Sequence, residues 1–253
     1  MPRICTPDFS DVGNDQGWAY RVWASADAFG QQVPLRVTRW RLDAGSQADD
    51  IPLCGSEAMA YVIAGAGTAV AAPPVAGERF ALAHESVLWL AGCPSLTLRA
   101  GSESLDVLVA ESAAGKAVPA PLCKVLTAGE LPHLVSTRDT RDRLDLVTDD
   151  VPVGATLIRA DRIIYHPGDT AAAHYHTDCH HVFCVLAGSG LLYSGDAAHR
   201  LNAGDSALVG PGEVHWFENE RAEEFSFVEF WAPPPASTVW TVTGDRCTWA
   251  PAS

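Results

Sequence analysis

The sequence has little positive charge. Its 253 residues include 17 Lys and Arg against 31 Asp and Glu, which gives a formal net charge of -14. A protein of this sign is repelled by nucleic acid and by anionic membrane surfaces, so we expect neither as a partner. Charged residues make up only 19% and hydrophobic residues 47%. This balance is typical of a folded globular chain and excludes a disordered one.

Long apolar runs and paired cysteines are missing as well. No stretch approaches the ~18 apolar residues of a membrane span, and the N-terminal residues carry no basic-plus-apolar signal. The seven cysteines are odd in number, scattered and without Cys-x-x-Cys spacing. Such cysteines are typical of a compartment where thiols stay reduced. Together these absences predict a cytoplasmic protein.

The chain consists of short apolar or alternating runs separated by Gly, Pro, Asp and Ser, with little helical periodicity. Strands are predicted from six such runs, at residues 35–42, 87–90, 157–165, 182–186, 207–209 and 225–231. Strands at this spacing indicate an all-β fold, either a sandwich or a barrel. Helix is predicted to be minor, with one candidate at residues 137–144.

Two segments look like copies of one unit. Residues 60–67 and 183–190 each place an apolar strand before a Gly-x-Gly that can reverse the chain. They lie about half the chain apart, which predicts a tandem duplication. The expected domains are residues 1–117 and 118–253, with the Ala-, Pro- and Gly-rich segment 113–122 as the linker.

The histidines are unevenly placed, since five of the nine fall between His166 and His181. His174 and His176 are two residues apart, so on an extended strand both imidazoles project to the same face and can chelate one ion. His215 follows a predicted strand and a Gly-Pro-Gly turn that defines the end of that strand. The sequence therefore contains a candidate metal site.

These residues resemble the motifs of the cupin superfamily, G-x5-H-x-H-x4-E-x6-G and G-x5-P-x-G-x2-H-x3-N. The matching positions are Gly168, His174, His176 and Gly188 in the first motif, and Gly204, Gly212, His215 and Asn219 in the second. Two positions depart from the pattern. His181 stands where the family usually has Glu, and Gly210 stands where it usually has Pro, with Pro211 one place later. The resemblance covers about residues 157–231.

The resemblance implies two tandem cupin barrels, that is, double-stranded β-helices of the jelly-roll type. It also implies one divalent transition metal per chain, bound in the second barrel by His174, His176, His181 and His215. Imidazole sets suit Fe, our first expectation, and also Ni, Cu or Zn, and Mn stays a further alternative. The role of His180 stays open: it could be an alternative ligand, a hydrogen-bond donor to a ligand or an exposed side chain. The motif spacing to Gly188 favours His181 as the ligand.

The first copy lacks these ligands. When it is aligned on the Gly-x-Gly turns, the residues opposite the four histidines are Ile51, Leu53, Ala58 and Ser95. We therefore expect a degenerate, metal-free first barrel with a structural, dimer-forming or substrate-lid role. A homodimer stays an open alternative.

Two residues are candidates for proton transfer. Alternation puts Phe227, Glu229 and Trp231 on one face of a strand, and a carboxylate between aromatic residues on an inward face is costly unless it is paired or catalytic. Tyr193 lies on another strand that is expected to line or flank the barrel. Core packing is the commoner role of aromatic residues at such positions.

Arg159 or Arg162 could clamp an anionic substrate, or could be solvated.

The first predicted function is a metal-dependent dioxygenase that acts on a small organic substrate, because the histidine set resembles the nitrogen-rich sites of cupin dioxygenases. One alternative is an isomerase or lyase in which the metal is a Lewis acid and Glu229 or Tyr193 moves a proton. The other alternative is a non-catalytic protein that binds a small molecule.

Overall fold

The computed structural model describes residues 1–6, 12–13, 17–30, 32–53, 57–72, 79–112, 122–146, 158–233, 238–241 and 247–252. The chain divides into two compact units. The first unit comprises Asp8–Leu131 and Asp149–Leu157, and the second comprises Met1–Pro7, Pro132–Thr148 and Ile158–Ser253. The predicted boundary between residues 117 and 118, with nearly all of the predicted linker, lies outside the described residues.

The first unit is a β structure with two short helices. Its strands are β2 (Val12–Gly13), β3 (Trp18–Ala24), β4 (Leu35–Leu42), β5 (Gln47–Pro52), β6 (Glu57–Ala72), β7 (Phe80–Leu82), β8 (Val87–Ala91), β9 (Ser95–Ser112) and β10 (Leu122–Leu126). The helices are α1 (Ala26–Phe29) and a 3-10 turn at Ala128–Glu130. The strands pair in the order β10-β8-β6-β9-β4-β3-β2, and the long strands β9 and β6 also pair with β5 and β7, respectively.

The second unit contains two sheets. Its strands are β1 (Arg3–Cys5), β11 (His133–Ser136), β12 (Asp142–Asp145), β13 (Arg159–Tyr165), β14 (His174–His176), β15 (His180–Ala187), β16 (Ser189–Ser194), β17 (Ala197–Asn202), β18 (Ser206–Val209), β19 (His215–Glu218), β20 (Phe225–Ala232), β21 (Thr238–Trp240) and β22 (Trp249–Pro251). The larger sheet has the order β1-β18-β15-β20-β13-β12-β11-β22, and the smaller has the order β17-β16-β19-β14-β21.

The core of the second unit lies between these sheets. Buried residues of β13, β15, β18 and β20 pack against Leu192, Leu201 and Phe217 of the smaller sheet. All eight residues of β20 are buried, and the strand pairs with β15 on one side and with β13 on the other. This central strand gives the barrel a rigid wall, on which side chains of the candidate site are mounted.

The all-β prediction is confirmed, and a strand lies in each of the six apolar runs, although β13 begins only at Arg159 and residue 157 lies outside the described residues. The predicted helix at residues 137–144 is wrong. Bends occupy residues 137–140, and Asp142–Asp145 form β12, which pairs with β11 and β13. The segment has no apolar alternation, so its sequence showed no sign of a strand. Its hydrogen bonds to β11 and β13 determine its conformation instead. No helix among the described residues is long and apolar enough to cross a membrane.

The two units also differ from the predicted ranges at their ends. The first residues of the chain belong to the second unit, because β1 pairs with β18. Strand β10 belongs to the first unit, because it pairs with β8. Both differences arise from hydrogen bonds between strands far apart in sequence.

The duplicated turns share one backbone constraint. Gly65 and Gly188 have φ values of +81° and +68°, which side chains rarely adopt. A Cβ on Gly65 would lie 1.8 Å from the carbonyl oxygen of Ser104, and one on Gly188 would lie 2.0 Å from that of Glu224. The same turn is therefore crowded by a facing carbonyl in both units.

We predict that Gly188→Ala destabilises the protein by more than the cost of positive φ alone, which is about 1–2 kcal/mol. The facing carbonyl must move as well, and β15, the strand that carries His181, ends at this turn. Gly195→Ala is the matched control, because Gly195 also has positive φ (+59°) but nothing within 4 Å of the place where a Cβ would lie. Urea unfolding measures both variants, and equal losses of stability would contradict the prediction.

Candidate metal centre

Three strands bring the histidines together. His174 begins β14 and lies directly opposite His215 at the start of β19. His176 lies two residues along β14, so its side chain projects to the same face as that of His174. Opposite residues in an antiparallel pair hold their side chains within about 5 Å of each other. The local strand register therefore suffices to gather these three imidazoles.

His174, His176 and His215 form a group that could hold a metal ion. Their candidate ligand atoms all lie within 4.8 Å of one another, and among the described residues this is the one such group of three or more. His176 and His215 are buried, and His174 is half-buried. The structure thus gathers three of the four predicted ligands into one compact group.

Hydrogen bonds define which nitrogen of two rings holds a lone pair. The Nδ1 of His174 lies 2.9 Å from the carbonyl oxygen of Ala172, and the Nδ1 of His215 lies 2.9 Å from that of Glu213. A carbonyl oxygen only accepts, so each Nδ1 carries the proton and each Nε2 is free to donate a lone pair. Burial lowers the pKa of His174 to about 4 and that of His215 well below its ordinary value. Both rings are therefore neutral at physiological pH.

His181 lies beside the group of three. Its Nδ1 is 3.2 Å from Nε2 of His215, its Nε2 is 3.1 Å from Oε2 of Glu229, and its ring stacks on Trp231 at 4.7 Å. Burial, followed by the nearby His215, lowers the pKa of His181 well below its ordinary value. The neutral ring has one proton, and because Nε2 of His215 holds a lone pair, Nδ1 of His181 donates to it and Nε2 of His181 is left to accept from Glu229.

Glu229 is a buried carboxyl on the central strand β20, directly opposite Asp161 on β13. Burial raises the pKa of Glu229 well above its ordinary value, the charge of Asp161 raises it further, and Arg143 opposes both. Burial likewise raises the pKa of Asp161 to about 8, against the attraction of Arg143 and with a further increase from Asp145. Burial and the charge of Asp161 thus favour the protonated form of Glu229, which can donate a hydrogen bond to His181.

A cavity of about 200 Å³ adjoins the histidines. This is more than ten times the roughly 10–15 Å³ that one water requires. All four predicted ligands and Glu229 line it, together with Trp231. Phe183, Phe217, Trp240 and Trp249 make much of the remaining wall apolar and aromatic. The space is suited to a small organic molecule next to the imidazoles.

Two arginines in the cavity wall were missed by the sequence interpretation. Arg141 and Arg143 line the cavity from the segment that was predicted to be helical, whereas Arg159 and Arg162 are not among its lining residues. Arg143 lies 2.8 Å from Asp161. Arg141 lies 2.8 Å from Asp139, and its Nη2 donates to the sulfur of Cys247 at 2.9 Å. The guanidinium charges are thus balanced by aspartates, and the Arg-x-Arg alternation was the signal that could have identified them.

Tyr193 requires a correction. It lies on β16 next to the core residue Leu192, so its side chain points to the opposite face of the sheet. There it stacks on Trp216 at 4.8 Å and donates a hydrogen bond to Glu218 at 2.8 Å, and it is not among the residues that line the cavity. This placement does not support a catalytic role. His180, a half-buried neighbour of His181, is also absent from the cavity wall.

Comparisons with known proteins agree with this fold. A cupin domain family model matches residues 161–231. The solved structure of protein Ylba from E. coli is similar over 91% of this chain and 90% of its own, with 18% identity and a TM-score of 0.68. No curated protein sequence matches significantly.

Two oxalate decarboxylase structures are similar as well. The enzyme from Lactobacillus farciminis, in a formate complex, has 14% identity and a TM-score of 0.76 over 94% of this chain and 88% of its own. A Bacillus subtilis oxalate decarboxylase mutant has 14% identity and a TM-score of 0.75 over 95% of this chain and 79% of its own. At these identities the likeness concerns the fold. Residues 161–231 thus match the cupin domain, and the chain has the jelly-roll β fold of these structural neighbours.

Proposed function

We propose that this protein is a metal-dependent enzyme, and that its reaction is the oxidation of a small organic substrate by dioxygen. The observation that supports this most directly is the group of neutral imidazoles next to a cavity of about 200 Å³. Imidazole nitrogen is a good ligand for Fe, Ni, Cu and Zn and a poor one for Mg or Ca. Iron is our first candidate metal, and Mn stays an alternative.

The spacing of one pair of nitrogens suits a shared ion. Two nitrogens bound at about 2.0–2.1 Å, roughly 90–109° apart, are about 2.9–3.4 Å from each other. His181 Nδ1 and His215 Nε2 are 3.2 Å apart, which lies within this interval. His181 can serve as a fourth ligand once its proton moves from Nδ1 to Nε2, and the contact with Glu229 then reverses so that the carboxyl accepts. We propose His174, His176 and His215 as the principal ligands and His181 as the fourth.

The remaining residues prepare the cavity for this chemistry. A bound ion of this kind can polarise a substrate and, if it is redox-active, bring the substrate and dioxygen together. Trp231, Phe183 and Phe217 keep water away from the imidazoles, and the neutral ligand set leaves the full charge of the ion available to an anionic substrate. Glu229 holds His181 in place through the contact at its Nε2.

Glu229 also favours a second candidate function, a lyase or isomerase that moves protons without dioxygen. A protonated carboxyl at the cavity wall is suited to general acid catalysis, which typically contributes 10²–10⁴-fold. The structural neighbours include oxalate decarboxylases, which are lyases, although their 14% identity leaves this activity a proposal for this chain. A purely ligand-binding protein is the third possibility.

We predict that His174→Ala, His176→Ala and His215→Ala each weaken metal binding by at least about a hundredfold. Loss of a residue that only hydrogen-bonds a metal ligand already lowers metal affinity by about 10–100-fold, and loss of the ligand itself should lower it at least as much. His180→Ala, the matched control, should retain about one metal per chain. Metal analysis after dialysis measures the content, and circular dichroism checks the fold. Full metal content in all three ligand variants would contradict the assignment.

The metal-free protein should lose stability relative to His174→Gln as the pH falls from about 6.5 to about 4. In the unfolded chain His174 takes up a proton near pH 6.5, whereas in the folded protein its pKa is about 4. Between these values the unfolded state binds more protons, so acid favours unfolding by at most about 1.4 kcal/mol per pH unit. Urea unfolding at several pH values measures the difference, and a constant gap between the two proteins would contradict the prediction.

The reaction type can be tested with the Fe(II)-loaded protein and a panel of enols, catechols and thiols. The first candidate predicts that substrate loss and dioxygen uptake occur together and that His174→Ala abolishes both. Turnover without dioxygen that falls about a hundredfold in Glu229→Gln, with unchanged metal content, would replace it with the second candidate. Ligand affinity that survives both His174→Ala and His176→Ala, without turnover, would favour the binding protein.

A further inference from the structure

The first unit has a cavity of its own. Its volume is about 230 Å³, and it is lined by residues of β3, β4 and β5, the loop residue Leu53 and the end of β9. Ile51 and Leu53, the residues aligned with His174 and His176, are part of its wall. Protein interiors are packed as densely as organic crystals, and voids much larger than a water are few. A cavity of this size, lined by apolar residues at the aligned positions, indicates a ligand other than a metal.

One wall of this cavity is aromatic. Tyr20 and Trp40 stack with their ring centroids 4.7 Å apart, and Trp18 packs against Trp40 at 5.5 Å. Trp40 is buried, whereas Trp18 and Tyr20 are half-buried. The faces of Trp and Tyr rings attract cations that lie within about 6 Å. This wall is therefore suited to a positively charged group attached to an apolar body.

The charged residues of the cavity are mainly acidic. Arg36 lies 3.1 Å from the buried carboxylate of Glu111, so these two charges compensate each other. Asp49 and Asp50 also line the cavity, and both are exposed. Among the residues that line the cavity, two carboxylates therefore have no cationic side chain to balance them. Both are exposed, so a ligand can reach them from water.

The backbone at these aspartates is unusual. Asp50 has a φ of +48°, and the pairing of β5 with β9 shifts register between Ala48 and Ile51. The amide of Asp50 donates to the hydroxyl of Thr97 at 3.2 Å, which supports this conformation. Bulges of this kind redirect side chains, and strained residues cluster at binding sites. Both aspartates belong to this irregular stretch and are among the residues that line the cavity, and the Asp49 carboxylate also accepts a hydrogen bond from Gln47.

We propose that this cavity binds a small organic cation, namely an amine attached to an aromatic or alkyl group. The apolar part lies between Ile51, Leu53 and the aromatic wall, and the ammonium group lies near Asp49 and Asp50. This inference is independent of the metal-dependent function proposed for the second unit.

Isothermal titration of the full chain with phenethylamine tests the proposal, with phenylacetate and 2-phenylethanol as the anionic and neutral probes of similar shape. We expect the amine to bind at least tenfold more tightly than either of them. The double change Asp49→Asn and Asp50→Asn should weaken amine binding at least tenfold and leave 2-phenylethanol unaffected. Asn tolerates positive φ, so this variant removes charge and keeps the backbone. Glu103→Gln, an exposed acid on β9, is the control and should change nothing.

A cavity-filling variant tests the location. Ile51→Trp should abolish binding of the amine, and the double aspartate variant keeps the test valid if Ile51→Trp fails to fold. Three results would overturn the proposal: no heat of binding at about 10 mM phenethylamine, binding no tighter than that of phenylacetate, or amine affinity that is unchanged in the double aspartate variant.

Discussion

Burial of neutral imidazole rings with converging nitrogens is the constraint on which the second unit depends. Each ring must stay unprotonated in a dry environment, and carbonyl oxygens hold the outer nitrogens of His174 and His215. The remaining nitrogens then face one another, as the 3.2 Å approach of His181 to His215 illustrates. In this contact Nδ1 of His181 donates to the lone pair on Nε2 of His215. The strands, the crowded turn at Gly188 and the buried carboxyl of Glu229 all serve to hold these rings in place.

The same barrel design carries different chemistry in the two units. Each has a cavity of about 200–230 Å³ walled by corresponding strands. In the second unit the cavity has imidazole donors and arginines that are neutralised by aspartates. In the first unit apolar side chains occupy the aligned ligand positions, and an aromatic wall faces two exposed aspartates. Duplication thus preserved a cavity, while substitution at a few inward positions changed what the cavity can bind.

Much of this was accessible from the sequence, because it is encoded locally. The apolar alternation predicted the strands, and the two-residue spacing on one strand predicted that His174 and His176 share a face. What the sequence concealed depends on pairing between distant strands. The Arg-x-Arg alternation was visible, but the place of Arg143 in the cavity wall depends on its pairing with Asp161, which lies on another strand. Tyr193 points away from the cavity, because alternation along a strand does not determine which of its two faces lies inward.

The central claim is that His174, His176 and His215 bind one transition metal ion. Anomalous diffraction at the absorption edge of the metal, from crystals of the metal-loaded protein, tests it directly. The account predicts a single strong peak per chain, about 2.0–2.1 Å from one ring nitrogen of each of these three histidines. A peak held by other side chains, or no peak next to these imidazoles in protein that carries stoichiometric metal, would contradict it.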